Sequence, residues 1–169
     1  MMIVLNVIAL EIKTIHQQMN KEILERVREF AIRHARIDIT SVHGITHWDR
    51  VANNGAKLRV SGADMDVVLC FAYLHDVERQ DDGYDMEHGP RAAVLIDEIR
   101  ESLLDFLNDD QIALLKKACR LHTSCHQTGD PTIDTCFDAD RLDLGRVYIT
   151  PDPDKMATKE GAERARRGI

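Results

Sequence analysis

Aromatic residues are few: four Phe, three Tyr and one Trp in 169 residues. Apolar positions are filled mainly by Leu, Ile, Val and Ala, a palette that favours helices over sheets. Sustained period-two alternation is missing, which argues against half-buried strands. No apolar run is long enough to span a bilayer, and the opening MMIVLNVIAL also lacks a basic leader and a small-residue cleavage site. The expectation is a core-packed leading segment in a cytoplasmic protein with no membrane partner. Basic blocks are absent until Arg164, Arg166 and Arg167, and the formal net charge is -7. That balance argues against an extended nucleic-acid footprint and leaves room for a nucleotide-sized substrate. Four cysteines (Cys70, Cys119, Cys125, Cys136) follow no framework spacing, so reduced thiols are expected. There is no internal repeat or low-complexity stretch, and residues 1–169 suit a single domain with a real core.

Helical spacing is present almost throughout. Ile23, Val27, Phe30 and Ala31 recur at three- and four-residue steps over 20–35, with Asn20 available as a cap. Residues 45–60 follow a Gly and carry Val51 and Leu58 on a similar stripe. The run DMDVVLCFAYLHDV at 64–77 opens on a capping Asp64 and is almost wholly apolar to Leu74, as a buried central helix would be. Gly89-Pro90 starts a helix over 88–107, and Asn108 with Gln111 resembles a capping box before Ile112 and Leu115. Residues 124–134 read as a loop. A further helix should carry Asp140 and Leu144, and Pro151 to Pro153 separates it from a short C-terminal helix at about 157–167. The fold class expected is all-α.

The informative chemistry sits at His75-Asp76, directly after Phe71, Ala72 and Leu74. Burying an imidazole and a carboxylate there is costly unless something pairs with both. A divalent cation does so, accepting the neutral imidazole lone pair and the carboxylate charge together. Adjacent helical residues point about 100° apart, so both reach one ion only where the helix ends or the ion lies against its side. Two other segments carry matching residues. HGITHWDRV places His47 on the preceding helix with Arg50 nearly one turn on, and DADRLD sets Asp138, Asp140 and Asp143 among apolar neighbours.

In this order the segments resemble the HD-domain metal-dependent phosphohydrolases: a His on one helix, a His-Asp pair ending a later one, and a distant Asp before a basic residue. The resemblance covers about residues 43–150, and the strings HGITHWDRV and CFDADRLDLGRV look like an uncharacterised bacterial branch of that family. It implies an orthogonal helical bundle with the metal at its centre, held by His47, His75, Asp76 and Asp140, and His88 and His122 resemble the second-metal ligands of two-metal members. It also implies hydrolysis of a phosphate ester or anhydride by metal-bound hydroxide, on a small phosphorylated substrate such as a nucleotide. Two imidazoles and two carboxylates suit Mn, Fe, Co, Ni or Mg. Asp76 is a candidate base for the bound water. Arg50, Arg79 and Arg141 are candidate phosphate clamps, Arg50 foremost because it lies close to one turn from His47.

Other readings of the same residues stay open. Some relatives use two irons to activate oxygen, which requires His88 and His122 as ligands. A non-catalytic metal- or nucleotide-binding sensor is a further alternative. Cys119, His122, Cys125, His126 and Cys136 have zinc-compatible chemistry, but Cys-x2-His-x2-Cys fans around a helix axis, so the cysteines read as core filler. His43 and His126 read as polar pocket or surface residues, Glu78 as a solvated helix-end residue, and Trp48 as a packing residue. An apolar leading segment on an acidic bundle also leaves a homodimer open.

Overall fold

Side-chain caps set where several helices start in the computed structural model, which describes residues 21–168. The elements are α1 (residues 21–34), α2 (Ile45–Leu58), α3 (Met65–Leu74), α4 (His88–Leu103), α5 (Asp109–Leu121), α6 (Pro131–Arg141) and α7 (Lys159–Arg167). Asp64 accepts from the amides of Asp66 and Val67, Asp130 from those of Thr132 and Ile133, and Thr158 from that of Gly161. Asn108 and Gln111 form the reciprocal capping box that their spacing suggested. Each cap satisfies amides that have no partner inside the helix.

The helices bury their apolar faces against one another, and the described residues contain no strand. α3 is the central element, packed on α2, α5 and α6, while α4 lies against α5. Every α3 residue from Cys70 to Leu74 is buried, which is why its sequence shows almost no polar face. Two cross-links join cap to core: Gln111 Nε2 donates to Asp64 Oδ2 at 2.9 Å, and the Asp64 amide donates to Thr132 Oγ1 at 3.0 Å. At the α4–α5 contact a Cβ on Gly89 would stand 2.2 Å from the Cys119 carbonyl oxygen. Only glycine permits that approach, and it brings His88 up to His122. No described helix is long and apolar enough to cross a membrane.

The segment boundaries differ from expectation in instructive places. The loop after residue 124 ends at Asp130, because Pro131 at the first helical position starts α6 earlier than the Gly-Asp-Pro cluster suggests. Leu144 lies outside the α-helix; α6 stops at Arg141, and Leu144–Val147 forms a 3-10 turn. Residues 104–107 likewise fall after α4, and His75-Asp76 follow α3 rather than lying within it. The capping role of Asn20 and the core packing of the first ten residues lie outside the described residues.

Candidate metal centre

Four histidines and two aspartates from α2 to α6 point their side chains into one buried cluster. Among the described residues, His47, His75 and Asp76 form one group able to hold a metal ion, and Asp76, His88 and His122 form another; His75, His122 and Asp140 form a third that overlaps both. Within each group the donor atoms lie within 4.8 Å of one another. His47, His75, Asp76, His88 and His122 are all 6% exposed or less.

Asp76 joins the two sides of this cluster. Its Oδ2 lies 3.6 Å from His47 Nε2 and 3.5 Å from His75 Nε2, while its Oδ1 lies 3.1 Å from His88 Nε2 and 3.8 Å from His122 Nε2. Asp140 completes the first side, its Oδ1 3.3 Å from His47 Nε2 and 3.9 Å from His75 Nε2. Ligand bonds of about 2.0–2.2 Å to a divalent ion place neighbouring donors roughly 3.0–3.4 Å apart. The observed spacings cluster close to that range.

The tautomers follow from the far side of each ring. His75 Nδ1 donates to the Phe71 and Ala72 carbonyls at 3.1 and 3.2 Å, His122 Nδ1 to the Cys119 carbonyl at 2.8 Å, and His88 Nδ1 to the Asp85 carbonyl. His47 Nδ1 lies 2.7 Å from Asp143 Oδ2. Carbonyls and an ionised carboxylate only accept, so each Nδ1 carries the proton and each Nε2 presents a lone pair. Those lone pairs face each other at 3.2 Å for His47–His75 and at 2.9 Å for His88–His122. Two opposed lone pairs repel unless a cation lies against both. Asp140 Oδ1, buried and without a hydrogen-bond partner, adds an uncompensated acceptor at the same place. The donor set fits divalent metal.

Electrostatics agree with ligation. Burial pulls the His75 imidazole down to about 3, which keeps it neutral and able to coordinate. Burial also penalises the Asp76 carboxylate, yet positive charge around it, with the Arg79 guanidinium always present, outweighs it and holds the group well below the usual range. For His47, burial is overcome by the Asp140 and Asp143 carboxylates, which raise its affinity for a proton. A metal ion and a proton compete there for the same lone pair.

The arginines divide differently from the expectation that all three clamp substrate. Arg50 donates through Nε to Asp143 Oδ1 at 2.5 Å and through NH2 to Asp143 Oδ2 at 3.0 Å, so it orients the carboxylate behind His47. Arg79 binds Asp76 Oδ1 at 3.1 Å and the Gly83 carbonyl at 3.1 Å. Arg141 spends its NH groups on the carbonyls of Cys125, His126 and Lys155, although its side chain still borders the cluster's mouth. That mouth is a recess of about 340 Å³ whose lining includes His43, Asp76, Arg79, His122, Asp140 and Arg146. His43 Nδ1 faces Asp82 Oδ1 at 3.0 Å.

Other candidates fall outside the cluster. His126 is exposed, and no cysteine belongs to any of the ligand groups among the described residues. Cys70, Cys119 and Cys136 lie in the core, where burial pushes their thiols far up and keeps them protonated. Glu78 is not solvated: it is 5% exposed, with His34 Nε2 at 2.6 Å and Arg36 NH2 at 3.3 Å. It ties the C-terminal end of α1 to the segment after Asp76. Trp48 is fully buried in the helix packing.

Sequence reasoning missed the roles of Asp143 and Arg146. Only the density of carboxylates in DADRLD hinted at Asp143, and nothing in the spacing marked Arg146. Comparisons with known protein families, with curated proteins and with solved structures find no match to this chain.

The Asp143 contact makes a prediction. A carboxylate on the far nitrogen of a ligand histidine fixes its tautomer and raises its basicity, and loss of such a partner typically costs 10–100-fold in metal affinity. Asp143→Ala should weaken divalent-metal binding by about that factor, as read by competition with a fluorescent chelator. Arg50→Ala should weaken it less, because Asp143 stays in place. Equal affinities for wild type and Asp143→Ala would show that His47 needs no orienting partner.

Proposed function

We propose that this chain is a metal-dependent phosphohydrolase of the HD-domain type, acting on a small phosphorylated substrate. One observation carries the reading: Asp76 turns one carboxylate oxygen toward His47 and His75 and the other toward His88 and His122. Those residues would hold divalent metal, and they open on a recess with arginines at its rim. Divalent ions held there would activate a water and neutralise charge developing on phosphoryl oxygens.

This chain's own residues do the rest. Asp76, with histidines facing both of its oxygens and its charge favoured, would serve as a metal ligand rather than as a proton acceptor. Asp143 and Arg50 hold the His47 ring in register, and Arg79 holds Asp76. The hydrolysis forms a bond from a water oxygen to phosphorus and breaks the ester P–O bond, with the water proton ending on the leaving oxygen. The recess volume of about 340 Å³ suits a small ligand.

The second pair, His88 and His122, is also what a di-iron oxygen-activating site requires, so the metal itself discriminates. Elemental analysis of purified protein, followed by phosphate release from a panel of nucleotides and other phosphomonoesters with Mn, Co, Ni or Mg, tests the reading. Release that depends on the metal and stops on chelation is expected. Two irons per chain with no phosphate release would favour oxygen chemistry, and tight nucleotide binding without turnover would favour a sensor.

A further inference from the structure

We propose that Arg146 is the substrate receptor of this centre, binding the terminal phosphoryl group of a phosphomonoester through the Nε–NH2 edge of its guanidinium. The inference deepens the phosphohydrolase reading and rests on it. Arg146 sits in the 3-10 turn Leu144–Val147, placed just after α6 and Asp140. Its NH1 is anchored on the Asp143 carbonyl at 3.2 Å, which leaves the other edge uncommitted. Nε is buried and has no hydrogen-bond partner. NH2 stands 3.8 Å from Asp140 Oδ1, beyond hydrogen-bonding distance.

The side chain is 10% exposed and lines the recess over the cluster. The neighbouring guanidiniums have settled occupations: Arg79 on Asp76 and Gly83, Arg141 on three carbonyls, Arg50 on Asp143. A guanidinium cannot shed its proton, and a buried N–H without an acceptor is a costly arrangement that an oxyanion relieves. The Nε–NH2 edge presents two parallel donors that match two oxygens of a phosphoryl group. Because NH2 lies beside Asp140 Oδ1, a group seated there abuts the His47, His75 and Asp140 side of the cluster.

That position selects the substrate class. A phosphomonoester has three unesterified oxygens, so it can give two to Arg146 and still turn a third toward the metal ligands. A diester has two, so at least one of them would have to be shared between Arg146 and the metal side. Its single negative charge also answers the arginine-rimmed mouth less well than the monoester's double charge.

Arg146→Met, which keeps the apolar stem, and Arg146→Lys, which keeps the charge but not the fork, test the assignment on manganese-loaded protein. Metal content is measured by mass spectrometry, inorganic phosphate binding by titration calorimetry, and kcat and KM on a phosphomonoester and a phosphodiester. With metal content unchanged, Arg146→Met should bind phosphate about tenfold or more weakly and Arg146→Lys should fall between, as expected for a lost bidentate charge-assisted contact. KM for the monoester should rise in the same order. Undiminished phosphate binding in Arg146→Met, or loss of metal from it, would overturn the assignment, and so would a wild-type preference for the diester. If phosphate binds in an Arg146-dependent way but no ester is cleaved, the receptor stands and the hydrolase reading alone fails.

Discussion

Asp76→Ala should strip the protein of divalent metal and abolish any hydrolysis that depends on it. The size of the effect follows from the position of the carboxylate. Loss of an outer partner of a ligand already costs about 10–100-fold in metal affinity, and Asp76 itself lies within 4 Å of all four histidine Nε2 atoms. Its removal takes away a donor from each side and the negative charge that would offset bound metal. More than about 100-fold weaker metal binding is therefore expected at both positions, together with loss of turnover to background. Asp76→Asn, of nearly the same shape, should lose metal almost as completely, because the amide brings no charge. Metal content of the purified variants decides the matter: a normal complement in Asp76→Ala would dismantle the two-sided centre.

Asp138→Ala should produce a large effect of a different kind, unfolding the C-terminal segment while leaving the metal ligands in place. Asp138 is fully buried, and its Oδ1 accepts from the Ala157 amide at 2.7 Å. Its Oδ2 accepts from the Thr158 amide at 2.8 Å and from Thr158 Oγ1 at 2.7 Å. Thr158 is the cap of α7, and a Cβ on Gly161 would lie only 2.2 Å from Asp138 Oδ2, so the helix start is built directly onto this carboxylate. Alanine leaves three donors without an acceptor. At about 1–3 kcal/mol for each buried group left unsatisfied, with some rehydration as the segment loosens, the loss should be about 3–5 kcal/mol. Urea denaturation measures it, and hydrogen exchange should show residues 157–167 opening first. Asp140→Ala should behave in the opposite sense, losing metal while residues 157–167 stay protected from exchange, because the acceptors that hold the start of α7 belong to Asp138. A melting curve for Asp138→Ala matching that of wild type would contradict this division.

The same pair shows why part of the site was legible and part was not. Asp138 and Asp140 are two positions apart on a helix, about 200° around its axis, so they cannot face the same way. The sequence shows that they diverge but not which one turns inward. Asp143 lies beyond the end of α6, where helical periodicity no longer says where a side chain points. Arg50 was misread for a related reason. Its spacing from His47 put it near the cluster, but its partner is Asp143, 93 residues away, and no local rule can pair them. Arg146 sits in a turn with no period at all. Glu78 looked solvated because it opens the polar run ERQDD after the apolar helix, whereas α1 and the residues just after it fold back over it and supply His34 and Arg36.

The helical class, the caps at Asp64 and Asn108 and the buried His75-Asp76 pair could all be read from the chain alone. Each is a local matter: a cap satisfies amides two or three residues away, apolar spacing repeats within a helix, and a polar pair after an apolar run needs a partner wherever it lands. Tertiary structure alone decided that Asp76 faces two histidine pairs, that Asp143 holds Arg50, and that Arg146 is left with a free edge at the mouth. Those outcomes depend on how close separate helices come, as at Gly89 against Cys119, and such distances arise from packing between segments far apart in sequence.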